Sequence, residues 1–262
     1  MYEFYQETSI ERYHTMRVRE EFVPEKRLAL IYYGLTRSLE SVLSSMETHL
    51  FQPMEEKKIH VDIFVHTYSI YGEYKNAWSR EQKDRYPNVN VIYLLEPSHL
   101  IVEKQDDVLA RLNIEEYYTK LGNWTGMSEE LTKYLIRNMA LALYSKKQIA
   151  LEVEKRMKEM AYDYIMCMRP DLKFTSRFNV EDMDQLDDVS IILPKDEAYS
   201  GYNDRFMVAK PSVGLYYCKL FDELLPYSRE TSIISEKFLL DMLNKKSIHV
   251  LEKDIAYETI RI

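Results

Sequence analysis

Hydrophobic positions along this chain alternate between two periods. Leu28-Ala-Leu-Ile-Tyr-Tyr33 is a continuous apolar run and predicts a buried strand. From Ser38 the period lengthens, and Leu39, Val42, Leu43, Met46 and Leu50 fall on one helical face, with Thr36 or Ser38 as cap candidates. Strand, short turn (Gly34-Leu-Thr-Arg37) and helix form the opening of a βαβ unit. Val61–Thr67 predicts a second strand, and Val89–Leu95, closed by Glu96-Pro97, a third. Ser128 and the acids Glu129 and Glu130 open a helical region reaching about Met160, roughly 50 Å if unbroken, a length at which a kink is expected. It leads into Tyr164–Met168, a short apolar run without helical period that reads as the central buried strand.

The central run stops at Arg169-Pro170-Asp171. Pro170 cannot donate to a sheet ladder, so pairing should fail there and the chain turn outward. Val189–Leu193 and Phe206–Ala209 predict two more strands. Pro211 suits the first turn of a helix running to about Leu225. Thr231 or Ser232 is a cap for a helix with Phe238, Leu239, Met242 and Leu243 inward, and Ile248–Leu251 is a final strand. Residues 1–26 show no clear period and read as an N-terminal arm. Residues 98–127 resist assignment, with Leu121–Gly126 a loop carrying a tryptophan. Without repeats or a linker, the pattern predicts an α/β fold in a single domain over residues 1–262.

Composition narrows the partners. The net charge of -8, with no long basic block, argues against a nucleic-acid partner but is compatible with a small phosphorylated ligand. The two cysteines are Cys167 and Cys218. Cys167 falls in the central strand and reads as a packed thiol, which fits a reducing, cytoplasmic setting. No signal peptide is visible, and the longest apolar stretch, near Leu28–Leu35, is too short for a transmembrane segment. The 6 glycines form neither a dinucleotide fingerprint nor a Walker loop. The 22 tyrosines suit stacking on bases and sugars, or simply packing at the core edge.

Ligands of open α/β sheets bind outside the carboxyl ends of strands. That rule selects Arg169 and Asp171, for which a salt-bridged strand end is the equal alternative. It also selects Tyr33, Gly34 and Arg37, where Gly34 allows close backbone approach, the following helix N-terminus suits a diphosphate and Arg37 adds a cation. His66 and Thr67 end the second strand and are candidates for base or ribose contact, or polar strand caps. Arg137 and Asn138 are adjacent polar residues in an otherwise apolar helix, in want of a partner such as Asp171 or a ligand.

Four pieces occur in order: Tyr33-Gly-Leu-Thr-Arg37, Asp62-Ile-Phe-Val-His-Thr67, Arg169-Pro-Asp-Leu172 and Asn203-Asp-Arg-Phe206. Together they resemble GT-A-type nucleotide-sugar glycosyltransferases, in particular those of large algal DNA viruses and bacterial polysaccharide loci. The resemblance implies a GT-A-like single domain with a Rossmann-like mixed sheet flanked by helices. It implies a nucleotide-sugar donor, with UDP-hexose first, a glycan or glycoprotein acceptor, and host cytoplasm as the location if the source is viral. It implies that Arg137 and Asn138 line the donor cleft, and that Asn203, Asp204 and Arg205 face sugar and acceptor, with Asp204 the carboxylate near the reacting centre. Glu236 is a weaker acceptor-side candidate. Many members carry Asp-x-Asp after the central strand to hold a divalent metal. Here the tripeptide is Arg169-Pro170-Asp171, so either Asp171 holds Mn²⁺ or Mg²⁺ with phosphate and water, or Arg169 supplies the positive charge. The alternatives are a sugar-nucleotide pyrophosphorylase and a catalytically silent carbohydrate-binding protein on the same fold.

Overall fold

The computed structural model describes residues 24–71, 74–76, 81–83, 89–121 and 127–261. Most of the N-terminal arm and the Leu121–Gly126 loop lie outside the described residues.

A seven-stranded sheet forms the centre. Its first four strands in chain order are β1 (Lys26–Tyr33), β2 (Ile59–Ser69), β5 (His99–Lys104) and β6 (Tyr164–Met168). They are mutually parallel and lie in the order β5-β2-β1-β6. This is the third-second-first-fourth order of the dinucleotide-binding half-fold, with its switch point between β1 and β6. Among the described residues, the short strands β3 (Tyr74–Asn76) and β4 (Glu81–Lys83) pair only with each other. Beyond β6 the sheet continues with β9 (Phe206–Ala209), β8 (Ser190–Pro194) and β10 (His249–Lys253). β9 is antiparallel to both neighbours. Its entry therefore lies at the same sheet edge as the exits of β1 and β6.

Side-chain alternation splits the core between the two faces. Ala29, Ile31 and Tyr33 of β1 and Ile165 and Cys167 of β6 face one cluster; Leu28, Leu30, Tyr32, Tyr164 and Met166 face the other. The first face is covered by α4 (Glu129–Arg156), α5 (Pro211–Cys218), α6 (Phe221–Glu230) and α7 (Ser235–Lys245). The second is covered by α1 (Leu39–Met46), α2 (Gln52–Glu56) and β7 (Leu172–Phe174). The expected α/β class, a mixed sheet flanked by helices, is therefore present. α3 (Gln105–Leu112) follows the edge strand β5, and β11 (Tyr257–Thr259) pairs with β7.

α4 runs unbroken for 28 residues, about 42 Å. Ser128 caps it, its hydroxyl accepting from the Leu131 amide at 3.2 Å. Cys167 and Cys218 are both buried free thiols.

Several expectations are corrected. Val89–Leu95 is a 3-10 turn, not a strand: Ile92 and Leu95, three apart, are buried, and Tyr93 is 61% exposed. The third strand is β5, whose edge position leaves it half exposed and hides its pattern. The helix from Pro211 stops at Cys218 and restarts at Phe221. Of the two cap candidates, Ser38 and not Thr36 holds the N-cap position of α1; its carbonyl accepts from the Ser41 and Val42 amides, and its side chain makes no capping hydrogen bond. Thr231 and Ser232 fall short of α7, which starts at Ser235 with Ile234 before it.

Candidate active site

A cavity of about 720 Å³ opens where β1, β6 and β9 meet, within the range of small-ligand sites. Tyr33, Gly34 and Arg37 reach it from the exit of β1, Arg169 and Pro170 from the exit of β6, and Asp204 and Arg205 from the entry of β9. α4 contributes Arg137 and Asn138, α7 contributes Glu236, and the C-terminal tail contributes Arg261. Seven of the candidate residues thus share one space: Tyr33, Gly34, Arg37, Arg137, Asn138, Arg169 and Asp204.

The β9 entry loop is pinned from behind. Asn203, buried, donates to the Asp196 carbonyl at 2.7 Å and the Tyr257 hydroxyl at 2.8 Å, and its side-chain oxygen accepts from the Arg205 amide at 2.9 Å. That last bond is an Asx turn, so Asn203 is structural. The Asp204 carbonyl accepts from the Tyr33 and Tyr217 hydroxyls, each at 2.9 Å, and from Lys146 at 3.2 Å. Lys146 is itself buried, 4.4 Å from the centroids of both tyrosine rings, and donates to the Tyr217 hydroxyl at 2.9 Å. With its backbone held this way, Asp204 lines the cavity.

Gly34 has φ +85, a conformation that favours glycine. Its amide donates to the Ser145 hydroxyl at 2.9 Å. The turn lines the cavity with Gly34 and the Arg37 side chain.

His66 and Thr67, expected to meet base or ribose, are not in the cavity lining. His66 is fully buried; its Nδ1 lies 2.8 Å from the Ser145 hydroxyl and its Nε2 donates to Glu103 at 2.9 Å. Glu103 also receives Arg111. The His66 hydrogen bond, helped by that from Arg111 and opposed by partial burial, holds the Glu103 carboxyl down at about 2. This chain ties β2, β5, α3 and α4 together. Thr67 points to the opposite face and is fully buried, its hydroxyl without a hydrogen-bond partner among the described residues.

Asp171 is 1% exposed and lies behind the cavity wall. Its Oδ1 accepts from Arg169 Nε at 2.8 Å and its Oδ2 from Arg169 Nη2. Burial would push this carboxyl up, but the guanidinium against it overrides that and holds it below the usual carboxylate range. The Ile260 amide donates to the Asp171 carbonyl at 2.9 Å, bringing the C-terminal tail over the motif. The partner of Asp171 is therefore Arg169, not Arg137 or Asn138. Arg137 keeps a buried Nε with no hydrogen-bond partner among the described residues.

These residues do not fit a divalent metal at Asp171. Both carboxylate oxygens are taken by a guanidinium, and an ion there would sit against that positive charge. Among the described residues no group of three metal-ligating side chains converges. The expected assignment of Asp171 as metal ligand is corrected accordingly.

No protein-family model and no curated protein matches the sequence. Among solved structures, the chain is similar to three glycosyltransferases. Glycosyltransferase GlyE of Streptococcus pneumoniae shares 16% identity at a TM-score of 0.42, over 87% of this chain and 45% of that one. Mouse xyloside xylosyltransferase 1 shares 13% at 0.40, over 87% of this chain and 84% of that one. Galactosyltransferase LgtC, solved with donor and acceptor sugar analogs, shares 9% at 0.41, over 86% of this chain and 72% of that one. The chain spans less than half the length of the pneumococcal structure.

Sequence reasoning gave too little weight to Glu236 and missed Lys146 and Arg261. Lys146 had a signal: it interrupts the apolar stripe Leu143, Ile149, Ala150, Val153 on α4. Arg261 had none, because its place depends on β11 pairing with β7. Tyr68, Tyr71 and Tyr74 also line the cavity, and Tyr71 is 74% exposed.

Burial, reinforced by nearby Asp204, raises the Glu236 carboxyl. A carboxylate with raised proton affinity beside a second one suits proton transfer.

Proposed function

We propose that this chain is a GT-A-type glycosyltransferase, a single domain moving a sugar from a nucleoside diphosphate to an acceptor hydroxyl. The observation that carries the reading is the cavity at the sheet switch point. It combines guanidinium groups, which suit a diphosphate, with the carboxylates Asp204 and Glu236, which suit proton removal and stabilisation of a cationic sugar. Exposed Tyr71 offers a face for a base or sugar.

The acceptor oxygen attacks the anomeric carbon as the bond from that carbon to the diphosphate oxygen breaks. The electron pair leaves with the nucleoside diphosphate, where Arg37, Arg137 and Arg169 meet the charge, and the acceptor proton passes to Asp204 or Glu236. A UDP-hexose donor and a glycan or glycoprotein acceptor are the finer reading. The narrower likeness to enzymes of algal viruses and polysaccharide loci rests on the four sequence motifs alone. Buried free thiols at Cys167 and Cys218 support a reducing, cytoplasmic setting. Among the described residues no helix is long and apolar enough to cross a membrane.

The test is hydrolysis of a nucleotide-sugar panel, led by UDP-hexoses, with and without sugar acceptors. We expect release of nucleoside diphosphate. Asp204→Asn should lower turnover more than donor affinity. Glu236→Gln should remove the acidic limb of the rate profile, because protonation of Glu236 stops it acting as base. Pyrophosphate release from sugar phosphate and nucleoside triphosphate would point to a pyrophosphorylase, and binding without turnover to a silent carbohydrate-binding protein.

A further inference from the structure

Five arginines, Arg37, Arg137, Arg169, Arg205 and Arg261, line one cavity in a chain of net charge -8. They arrive from separate segments, so no local composition produced the cluster. An acidic protein that gathers guanidinium groups in a cleft has built an anion site against its own overall field.

Arg169 is held in place by a carboxylate behind the cavity wall. A guanidinium has five N–H donors in a fixed plane, and Asp171 takes one from Nε and one from Nη2. Three remain, including both on Nη1, on a side chain 22% exposed at the cavity wall. Asp171 therefore orients the cation without using up its donors. Arg137 adds a buried Nε with no hydrogen-bond partner among the described residues. Such a group is costly unless something completes it, and an anionic oxygen in the cavity would do so.

We propose that this chain grips the diphosphate of its nucleotide ligand with guanidinium groups in place of a divalent ion, and that Arg169, set by Asp171, is the principal donor. The ligand's identity rests on the glycosyl-transfer reading; the anion site does not. Arg169 makes charge-assisted bonds to phosphate oxygens, and the charge growing on the leaving diphosphate is met by fixed cations already in place.

Isothermal titration of the intact protein tests this. UDP, GDP and ADP are titrated in Mn²⁺, in Mg²⁺ and in EDTA, and inorganic pyrophosphate in EDTA. At least one nucleoside diphosphate should bind with the same Kd within about threefold in all three buffers, and pyrophosphate should bind without metal. Arg169→Lys, which keeps the charge but loses the planar fork, should weaken binding by about tenfold, and Arg169→Ala by more. The wild-type comparison needs no variant, so it stands even if a variant fails to fold.

A nucleoside diphosphate that binds only with metal overturns the inference and leaves the glycosyltransferase reading standing. Pyrophosphate binding in EDTA without binding of any nucleoside diphosphate supports the anion site and overturns that reading. No binding of either overturns both. Unchanged affinity in a folded Arg169→Lys protein removes Arg169 from the site.

Discussion

Asp171→Asn isolates the pair behind the cavity wall. The substitution keeps shape and removes one charge. Wild-type Asp171 accepts two bonds from Arg169, one of them at 2.8 Å, and is 1% exposed. Asparagine keeps one acceptor oxygen; its amide group meets a second donor and cannot replace the other bond. Breaking a buried pair from one side costs about 3–5 kcal/mol, because the remaining charge is left uncompensated. Arg169 is 22% exposed, so water recovers part of that loss. The lower end, about 3 kcal/mol, is therefore expected. For a chain of this size that is a drop in Tm of about 6–12 °C.

The assay is thermal and urea unfolding followed by circular dichroism, with Arg169→Met/Asp171→Leu as the companion. Removing both charges should recover most of the loss, since replacing a buried pair with apolar groups is often neutral. The pH dependence has a definite sign. Asp171 is depressed in the folded protein by the Arg169 guanidinium, which overrides burial. Its contribution is thus full above the unfolded-state value of about 3.9 and is lost as pH falls through the lower folded value. The gap between wild type and Asp171→Asn should shrink only below about pH 4. A folded Asp171→Asn protein melting within about 1 °C of wild type at neutral pH would refute the reasoning, since the expected shift is several-fold larger.

Two further outcomes concern the frame around the site. Gly214→Ala places a Cβ 2.7 Å from the Ile165 Cβ, so α5 and the central strand must part, at a cost of about 1–3 kcal/mol in urea unfolding. An unchanged midpoint would show that this close approach is not needed. Glu103→Gln should flatten the acid limb of stability: the wild-type carboxyl, held at about 2, contributes above its ordinary value of about 4.3 and loses that contribution as pH falls toward about 2. Parallel acid limbs in the two proteins would mean that the His66–Glu103 bond does not stabilise the fold.

Tyr164–Met168 and Phe206–Ala209 have the same bounds in sequence and in structure. Strands buried on both faces must be apolar throughout, and that leaves an unbroken run that local reading can find. β5 breaks the rule because an edge strand meets one neighbour and water, so its pattern is mixed. The strand-end rule likewise pointed to Tyr33, Arg37 and Arg169, which line the cavity, because where a strand exits is decided by its own length; Asp204, at a strand entry, came from the resemblance alone. The rule failed for His66 and Thr67, whose direction depends on which helix covers each face. For Asp171 the sequence left two roles open, a salt-bridged strand end and a ligand contact, and the fold shows the first, its carboxylate spent on its neighbour two positions away. Glu236 and Arg261 join the cavity through the packing of α7 and the pairing of β11 with β7, contacts between segments far apart in the chain. Periodicity and propensity act over a few turns of chain. The charge balance of a cleft is set by which distant segments pack together, and that is decided by tertiary structure.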